Sequence, residues 1–319
     1  MKCKLLFFST LSRMTQVRPI SCYLCDSLNV NQSHNQKKIK YDECIYIFYK
    51  CGNCGSYSLF PKLDQEKIAK LYSKEYSGIS SDSHEDGNVS YISKFNELEK
   101  FISTDSKSKR HSYLDYGCGF NPVTLGIASK NGLDYQGVEF SSEVVEQANQ
   151  VFPGKVTTVE EFKKSSIKYD YIFFGDVIEH LTEPIAELAE ISRRISGDGL
   201  LIAQGPLQGA LTLSQMLINI KSSMFSKAES TFPPYHVSLA SRRGMYEVMK
   251  SSNFEIIQFK VTEPLWPAQS VKSILRKPSI RGFAILLPKL VDKVLAKLIP
   301  RFGSHYFLVA QRKGAVPLL

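Results

Sequence analysis

From Tyr113 onward, the sequence alternates short apolar runs of strand length with segments of helical periodicity. The six clearest runs predict strands at Tyr113 to Tyr116, Tyr135 to Phe140, Tyr169 to Gly175, Gly199 to Gly205, Phe254 to Val261 and His305 to Gln311. A weaker strand is predicted at Lys155 to Val159. Helices are predicted between the strands at Pro122 to Lys130, Ser142 to Val151, Glu183 to Ile195 and Arg243 to Ser251. Alternation of this kind indicates βαβ units around a mostly parallel sheet, which is the α/β fold class.

Two cysteine pairs stand near the N-terminus. Cys22 and Cys25 form one C-x-x-C pair, Cys51 and Cys54 form another, and a polar or glycine turn follows each pair. Two such pairs supply four thiolates at tetrahedral geometry, the usual arrangement of a structural Zn²⁺ site. Residues 21–61 are therefore predicted to be a small four-cysteine zinc-ribbon module with a strand or hairpin between the pairs. Four thiolates leave no open coordination position, so this zinc is predicted to be structural and not catalytic.

Two other ligand candidates lie between the cysteine pairs. Cys44 and His34 have no partner at zinc-knuckle spacing, so we interpret them as an ordinary buried thiol and a surface imidazole. A redox-active dithiol is the alternative interpretation of the paired cysteines. Two pairs with the same spacing favour the metal site.

The segments on either side of the zinc module carry weaker patterns. Residues 1–20 resemble no structural element and are predicted to be unstructured. Residues 62–112 are polar and weakly helical, with a cluster of serine, glycine and acidic residues at 78–88, which predicts a helical linker with a flexible lid. Tyr72 and Tyr76 share one face of a predicted helix in this linker and are secondary candidates for orienting an acceptor.

A glycine-rich turn, D-Y-G-C-G at residues 115–119, follows the first strand of the α/β region. Gly117 and Gly119 allow a sharp turn and let a ligand approach the main chain without meeting a Cβ atom. A dinucleotide fingerprint requires a third glycine where this chain has Pro122, so NAD is disfavoured. Glu139 ends the second strand, where an acidic side chain can accept hydrogen bonds from both ribose hydroxyls of a nucleoside.

This segment resembles motif I of class I S-adenosylmethionine (SAM) dependent methyltransferases, and the resemblance continues for most of the chain after Tyr113. Asn121 stands where a third glycine is usual in that motif. The resemblance implies a Rossmann-like methyltransferase sheet in a SAM-binding domain over residues 113–319. The cofactor-binding residues that it implies are Asp115, Gly117, Gly119, Glu139 and Asp176.

Residues 176–184 (D-V-I-E-H-L-T-E-P) resemble the D-x-x-E-H-x-x-x-P segment of many class I methyltransferases. The resemblance places Asp176 near the cofactor and His180 towards the acceptor. A second histidine, His236, stands in an H-x-x-x-x-S segment similar to that of zinc-containing sugar C-methyltransferases, with Tyr235 in place of their glutamate. His180 and His236 are the predicted catalytic bases, because a pKa near neutrality suits proton removal during methyl transfer. Nothing in the sequence resembles a magnesium-binding carboxylate cluster, so no catalytic metal is predicted.

The formal net charge of +9 is concentrated towards the C-terminus. Residues 271–303 contain eight Lys or Arg against one acid, Asp292. Apolar residues at 287–298 follow helical spacing, with Pro288 in the first turn and lysines such as Lys289 on another face. A basic amphipathic insertion of this kind predicts peripheral contact with an anionic membrane surface. Packing of the apolar face on the sheet or on a partner subunit, with the lysines in water, is the alternative.

Composition and motifs together favour a cytoplasmic enzyme. The chain has 319 residues and 43% hydrophobic content, and no apolar run reaches the length of a membrane span or a secretory signal. The leading hypothesis is a SAM-dependent methyltransferase acting on a small, sugar-like or lipid-linked acceptor. The alternatives are a zinc-containing RNA methyltransferase and a non-catalytic SAM-fold binding module. Nucleic acid is less favoured, because the cysteine module lacks basic and aromatic interleaving beyond Lys37, Lys38 and Lys40.

Overall fold

We describe the fold from a computed structural model of the chain. The residues that the structure describes are 20–33, 38–64, 67–68, 71, 92–105, 111–120, 122–209, 212–217, 220, 229–230, 233–265, 280–299 and 301–314. They form two β-sheets, a smaller one that carries the paired cysteines and a larger one in the α/β region.

The smaller sheet is built mainly from the N-terminal part of the chain. Its strands are β1 (Val30–Gln32), β2 (Lys38–Tyr41), β3 (Cys44–Cys51), β4 (Tyr57–Phe60), β10 (Glu229–Ser230) and β11 (Ser238–Leu239). β3 pairs antiparallel with β1, β2 and β4, whereas β10 and β11 form the two edges. Side chains of β3 alternate between buried and less buried positions, as expected of a strand with one face on a core. The hairpin predicted between the cysteine pairs is confirmed.

The larger sheet contains all seven strands that the sequence predicts. They are β5 (Ser112–Tyr116), β6 (Asp134–Glu139), β7 (Val156–Thr158), β8 (Tyr169–Gly175), β9 (Ile195–Pro206), β12 (Phe254–Thr262) and β13 (His305–Arg312). The order is β12-β13-β9-β8-β5-β6-β7, with β13 antiparallel to both neighbours and the remaining pairs parallel. β8 is buried along nearly its whole length, which suits a central strand covered on both faces. The predicted α/β fold class with a mostly parallel, Rossmann-like sheet is confirmed.

Helices alternate with the strands of the larger sheet. They are α1 (Asn96–Asp105), α2 (Val123–Lys130), α3 (Ser142–Val151), α4 (Val159–Lys164), α5 (Pro184–Ser192), α6 (Arg242–Ser251) and α7 (Ile280–Leu298). Side-chain oxygens of Ser141, Thr158 and Ser241 accept backbone N–H groups at the starts of α3, α4 and α6, which fixes where these helices begin. The helix predicted to reach Ile195 ends earlier, because Ile195 begins β9 and pairs with β8.

Helix α7 differs from the prediction in its start and in its orientation. It begins at Ile280, so Pro288 lies inside the helix and not in its first turn. Lys289, predicted to face water, is 8% exposed and forms an ion pair with Glu263. Asp292 is fully buried. These two charged residues of α7 therefore face the protein, because each has a polar partner there. Among the residues that the structure describes, no helix is long and apolar enough to cross a membrane.

One hydrophobic cluster joins the cysteine-bearing region to the α/β region. Buried Leu24 and three of the paired cysteines belong to the same apolar cluster as Met245 and Val248 of α6. β11, which directly precedes α6, pairs with β4 of the smaller sheet. Gly244 in α6 is so close to Ser56 that an added Cβ atom would fall 2.0 Å from the Ser56 Oγ atom. The cysteine-bearing sheet thus packs directly on the α/β region, while the domain boundaries given above stay predictions.

Candidate functional site

The glycine turn after β5 has the conformation that a ligand-binding turn requires. Gly117 and Gly119 have φ angles of +79° and +73°, a region that favours glycine. A Cβ atom on Gly117 would fall 2.6 Å from the Val177 Cγ2 atom, so the turn packs directly on the loop after β8. A Cβ atom on Gly119 would meet no described atom within 4 Å. The turn therefore presents open main chain at the carboxyl edge of the parallel sheet, where ligands of α/β folds bind.

Asp115 lies beneath this turn and not on its open side. It is 3% exposed, and the Thr124 hydroxyl at the start of α2 donates a hydrogen bond to its carboxylate. Burial raises the pKa of Asp115 to about 7, although the Thr124 hydrogen bond opposes the shift. The contact joins the end of β5 to α2 and so fixes the turn between them. Its predicted role in cofactor binding stays a prediction.

Glu139 ends β6 beside the glycine turn. Its carboxylate accepts hydrogen bonds from the backbone N–H groups of Gly119, at 2.9 Å, and Phe140, at 2.6 Å. Burial raises the pKa of Glu139, and these N–H groups oppose that shift. Phe140, which no sequence motif selects, is exposed and packs edge-on against the buried Tyr116 ring. A carboxylate and an accessible aromatic ring thus lie next to each other beside the turn.

Asp176 begins the loop after β8 in a left-handed conformation, with φ of 56°. It forms an ion pair with Lys94, which lies just before α1. Burial works to raise the pKa of Asp176, but the nearby cations, led by Lys94, lower it below its ordinary value. Lys94 was not among the predicted site residues, because no local pattern relates a linker lysine to this loop.

His180 and His236 meet in the structure, although more than fifty residues separate them in the chain. Their ring centroids are 4.8 Å apart in an edge-to-face arrangement. The His180 Nδ1 atom lies 2.7 Å from the carbonyl oxygen of Tyr235. Because a carbonyl only accepts, Nδ1 carries the proton and Nε2 keeps its lone pair. Burial, with the neighbouring His236, lowers the pKa of His180 to about 3, so this imidazole is neutral at neutral pH.

Glu179 completes a group with these two histidines and was not among the predicted site residues. One side-chain oxygen or nitrogen from each of Glu179, His180 and His236 lies within 4.8 Å of the others. Glu179 is 4% exposed, and its Oε1 atom has no hydrogen-bond partner among the described residues. Burial and the negative charge of Asp176 raise the pKa of Glu179 to about 8. A buried, unsatisfied carboxyl group can accept a proton or a hydrogen bond from a ligand.

One carboxylate and two imidazoles are also a donor set that divalent transition metals accept. In the sequence, this donor set is indicated only by the E-H pair inside the D-x-x-E-H segment and by the distant His236. The prediction that catalysis uses no metal stays a prediction.

A further histidine, His305, lies near Asp176 at the start of β13. Burial lowers the pKa of His305 to about 4, and the charge of Asp176 opposes the shift. Its Nδ1 atom is 3.0 Å from the Ser304 hydroxyl oxygen. From the sequence, His305 is predicted only to begin a strand. The antiparallel pairing of β13 with β9, which sets His305 opposite Pro206, brings it to the site edge of the sheet.

The four paired cysteines form one cluster. The Cys22 and Cys54 sulfur atoms are 3.6 Å apart, as are those of Cys25 and Cys51, and all four lie within 4.8 Å of one another. Sulfur atoms bound at about 2.3 Å to one tetrahedral Zn²⁺ are about 3.8 Å apart, so the observed spacing fits that ion. Cys44 is buried in β3 and is not part of this cluster. It is disulfide-bonded, so its interpretation as an ordinary thiol is wrong.

The two C-x-x-C turns have the same backbone geometry. In each, a residue with positive φ, Asp26 or Gly55, donates its N–H to the carbonyl of the first cysteine, at 2.9 Å and 3.0 Å. The first cysteine in turn donates its N–H to a serine carbonyl five residues on, at 3.0 Å and 2.8 Å. The N–H of Cys54 also points at the Cys51 sulfur atom, at 3.4 Å. Both turns thus share one backbone geometry, which is compatible with the predicted zinc knuckles.

The segment 235–241 connects the cysteine cluster to the histidine pair. The Ser241 hydroxyl donates a hydrogen bond to the Cys54 carbonyl at 2.5 Å. The Val237 N–H donates to the Glu179 carbonyl, and the Val237 carbonyl accepts from the Leu59 N–H, both at 2.9 Å. His236 is therefore held between β4 and the loop after β8 by the same segment that contacts the second knuckle.

Four candidates from the sequence lie outside the residues that the structure describes. They are His34, Tyr72, Tyr76 and Asn121. The part of the basic insertion at 271–279 is outside them as well.

Residues 87–259 match a family described as methyltransferase domain, which is more than half of the 319 residues. The chain belongs to the methyltransferase domain family. The matched range contains the glycine turn, Glu139, the loop after β8 and His236. This match confirms that the predicted enzyme class, a methyltransferase, is correct.

Several solved structures resemble this methyltransferase. The plantazolicin methyltransferase BamL, in complex with a triazolic desmethylPZN analog and SAH, aligns with a TM-score of 0.50 and 14% identity over 77% of this chain and 96% of that chain. The plantazolicin methyltransferase BpumL, in complex with a pentazolic desmethylPZN analog and SAH, aligns with a TM-score of 0.48 and 17% identity over 78% of this chain and 99% of that chain. A SAM dependent methyltransferase from Archaeoglobus fulgidus aligns with a TM-score of 0.43 and 14% identity over 67% of this chain and 94% of that chain. The BamL alignment supports the fold alone. A search of curated proteins found no match to the sequence.

Proposed function

We propose that this methyltransferase uses SAM as its methyl donor, held by the glycine turn and Glu139. When bound, SAM supplies an activated methyl group on a sulfonium. Gly119 leaves the main chain open for the cofactor, and the Glu139 carboxylate accepts hydrogen bonds from the ribose hydroxyls. Phe140 offers an exposed ring against which a nucleobase packs. The observation that carries the proposal is the contact of Gly117 with Val177, because it joins the cofactor turn to the loop after β8.

Asp115 and Asp176 support this site in different ways. Asp115 holds the glycine turn in place through its hydrogen bond with Thr124. Asp176, kept ionised by Lys94, places a fixed negative charge at the edge of the sheet. A cationic sulfonium is stabilised by such a charge.

The acceptor side of the proposed site is the group formed by Glu179, His180 and His236. Methyl transfer needs a nucleophile held in line with the methyl group, and hydroxyl or acidic carbon nucleophiles also need a proton acceptor. The neutral His180 offers its Nε2 lone pair, and His236 lies beside it. Glu179 contributes an unsatisfied carboxyl oxygen next to both rings. These groups bind the acceptor's polar hydrogen and remove its proton as the methyl group is transferred.

We propose a small polar acceptor, sugar-like or lipid-linked. The buried carboxyl and imidazole groups favour a hydroxyl-bearing acceptor, since each can accept a hydrogen bond from it. The H-x-x-x-x-S segment around His236 is similar to that of zinc-containing sugar C-methyltransferases, which also supports a sugar-like acceptor. Tyr235 in place of their glutamate distinguishes the two sites, so the methylated atom is left open.

We propose that Cys22, Cys25, Cys51 and Cys54 hold one structural Zn²⁺. The near-tetrahedral sulfur spacing and the two matching knuckle turns support this ion. Its part in the enzyme is mechanical. By fixing the second knuckle, it holds Ser241 and therefore the segment that carries His236.

The SAM site predicts a defined effect of Glu139→Gln. The substitution removes a charged acceptor for the ribose hydroxyls, which is worth about tenfold to a hundredfold in affinity, so calorimetry should show weaker SAM binding by that factor. Glu160→Gln, an exposed change on α4, is the matched control and should bind SAM as the wild type does. NAD should not raise the melting temperature of either protein. NAD binding without SAM binding would contradict the proposed cofactor.

The raised pKa of Glu179 predicts a pH dependence of the rate. A carboxyl group with a pKa of about 8 accepts a proton only when ionised, so the transfer rate should rise with pH, reach half its maximum near pH 8 and level off above about pH 9. Glu179→Gln should lower the plateau and remove this dependence. The measurement is the pH–rate profile of both proteins at saturating SAM. A wild-type rate that is constant between about pH 6 and pH 9 would contradict the part of Glu179 and leave proton removal to the histidines alone, since His180 is already neutral throughout that range.

A further inference from the structure

Helix α7 carries two charged residues, Lys289 and Asp292, on the side that faces the protein. Lys289 pairs with the buried Glu263, and the other Glu263 oxygen accepts the Ser304 N–H at 2.7 Å. Asp292 is fully buried and accepts backbone N–H groups at 2.7 Å and 2.9 Å from the segment 213–214. These two charged residues, each with polar partners, therefore share the protein-facing side of α7 with the buried Leu286.

The opposite face of α7 is an exposed apolar stripe. Large apolar side chains recur on it at intervals of three or four residues, the spacing of one helix face. The stripe consists of Ile280, Phe283, Leu287, Val291, Val294 and Leu298, which are between 38% and 91% exposed. Scattered exposed apolar residues are ordinary, but a continuous stripe along a whole helix marks a contact surface.

A second helix, of which residues 213–217 are described, extends this surface. The Asp292 carboxylate accepts hydrogen bonds from backbone N–H groups at the N-terminal end of this helix, and these bonds fix the helix beside α7. Leu213, Met216 and Leu217 on this helix are exposed. Two anchored helices thus present apolar side chains from the same region of the protein.

The charge around the stripe indicates the chemistry of its partner. Lys297 and Arg301 are exposed at its C-terminal end, and Lys293 is half-exposed. The one acid of the segment 271–303, Asp292, is buried, so its basic residues have no exposed acidic neighbour within that segment. A second copy of the same face would set cations against cations. Anionic lipid headgroups complement them, while the acyl region accepts the apolar stripe.

We propose that α7 and the helix at 213–217 form an interfacial surface that docks the enzyme on an anionic lipid bilayer. α7 would lie parallel to the membrane plane, because its apolar stripe occupies a single face. Lys293, Lys297 and Arg301 would reach the headgroups beside it. The proposal goes beyond methyl transfer and does not depend on the identity of the acceptor.

Vesicle co-sedimentation of the full chain tests this surface. The probes are vesicles of phosphatidylcholine alone and vesicles of equal parts phosphatidylcholine and phosphatidylglycerol. We expect the wild type to bind the mixed vesicles at least about tenfold more tightly, since each lysine or arginine near an anionic surface contributes roughly fivefold, and to be released by salt. Leu287→Asp with Val291→Asp should weaken binding to the mixed vesicles by about tenfold or more.

Matched variants separate a docking surface from a general effect of added charge. Val151→Asp with Ile167→Asp changes two exposed apolar residues that lie outside both helices, and should bind vesicles as the wild type does. Lys293→Glu with Lys297→Glu leaves the stripe intact and should lose the preference for phosphatidylglycerol. SAM affinity, measured in each variant, reports whether the fold is kept.

Three results would overturn the proposal. They are equal wild-type sedimentation with both kinds of vesicle, unchanged binding by the Leu287→Asp and Val291→Asp variant, and a dimer in light scattering that this variant dissociates. The last result would assign the stripe to an interface between two copies of the chain. None of these results affects SAM binding. Failure of the docking proposal is therefore distinguishable from failure of the proposal that SAM is the cofactor.

Discussion

Replacement of His180 or His236 by alanine should lower the rate of methyl transfer by about 10²- to 10⁴-fold, the range that a general base usually supplies. SAM affinity should change little, because neither histidine is among the residues that are proposed to hold the cofactor. The two effects separate when turnover and SAM binding are measured on the same preparations. A histidine that only supported the fold would lose stability, affinity and rate together.

Two further variants make this test specific. His180→Asn keeps a nitrogen donor for the Tyr235 carbonyl but removes the Nε2 lone pair, so we expect normal stability and a rate as low as that of the alanine variant. His111→Ala changes an exposed histidine at the other end of β5 and should leave the rate unchanged. Full activity of both alanine variants would exclude base catalysis by histidine and leave alignment of the reactants to explain the rate.

Cys51→Ser should have the largest effect on stability. The substitution removes one of four zinc ligands, and structural zinc sites contribute on the order of 10 kcal/mol of apparent binding free energy. Because Cys51 and Cys54 belong to the core that α6 shares, we expect a fall in melting temperature of about 10 °C or more. Transfer activity should fall as well, since the second knuckle holds the segment that carries His236. Elemental analysis should find one zinc per wild-type chain and less in the variant.

Cys118→Ser is the control for this prediction, because Cys118 is a free cysteine outside the cluster and its loss should leave the zinc content unchanged. If Cys51→Ser does not fold, gradual removal of zinc from the wild type by a chelator gives the same information. Activity should then decline with zinc content and return when zinc is added. A metal-free protein that melts at the same temperature as the native enzyme would contradict the structural role.

The larger sheet could be predicted because its strands carry their own patterns. The β8 strand, Tyr169–Gly175, is a nearly continuous apolar run, and its observed bounds equal the predicted ones. β11 is the opposite case. It is a strand of two residues, Ser238–Leu239, that pairs with β4 far earlier in the chain. Because so short a segment carries no periodicity, the contact of the cysteine-bearing sheet with the segment around His236 could not be predicted.

The candidate site likewise contains residues that could be predicted from the sequence and residues that could not. Gly117, Gly119 and the D-x-x-E-H segment are local motifs and could be found in the sequence. Lys94 could not, because its role depends on the ion pair with Asp176 across the fold.

Helix α7 shows a further limit of sequence patterns. Its periodicity predicts an apolar face, but the buried Glu263 that pairs with Lys289 decides which face turns inward.

The most direct test of the account is transfer of a labelled methyl group from SAM by the purified enzyme into cell extract that is then separated into RNA, lipid, polysaccharide and small-molecule fractions. We predict label in the polysaccharide, small-molecule or lipid fraction, and its loss with His180→Ala and with Glu139→Gln. Label confined to RNA would contradict the proposed acceptor class and favour an RNA methyltransferase. SAM binding without label in any fraction would contradict catalysis and leave a binding module.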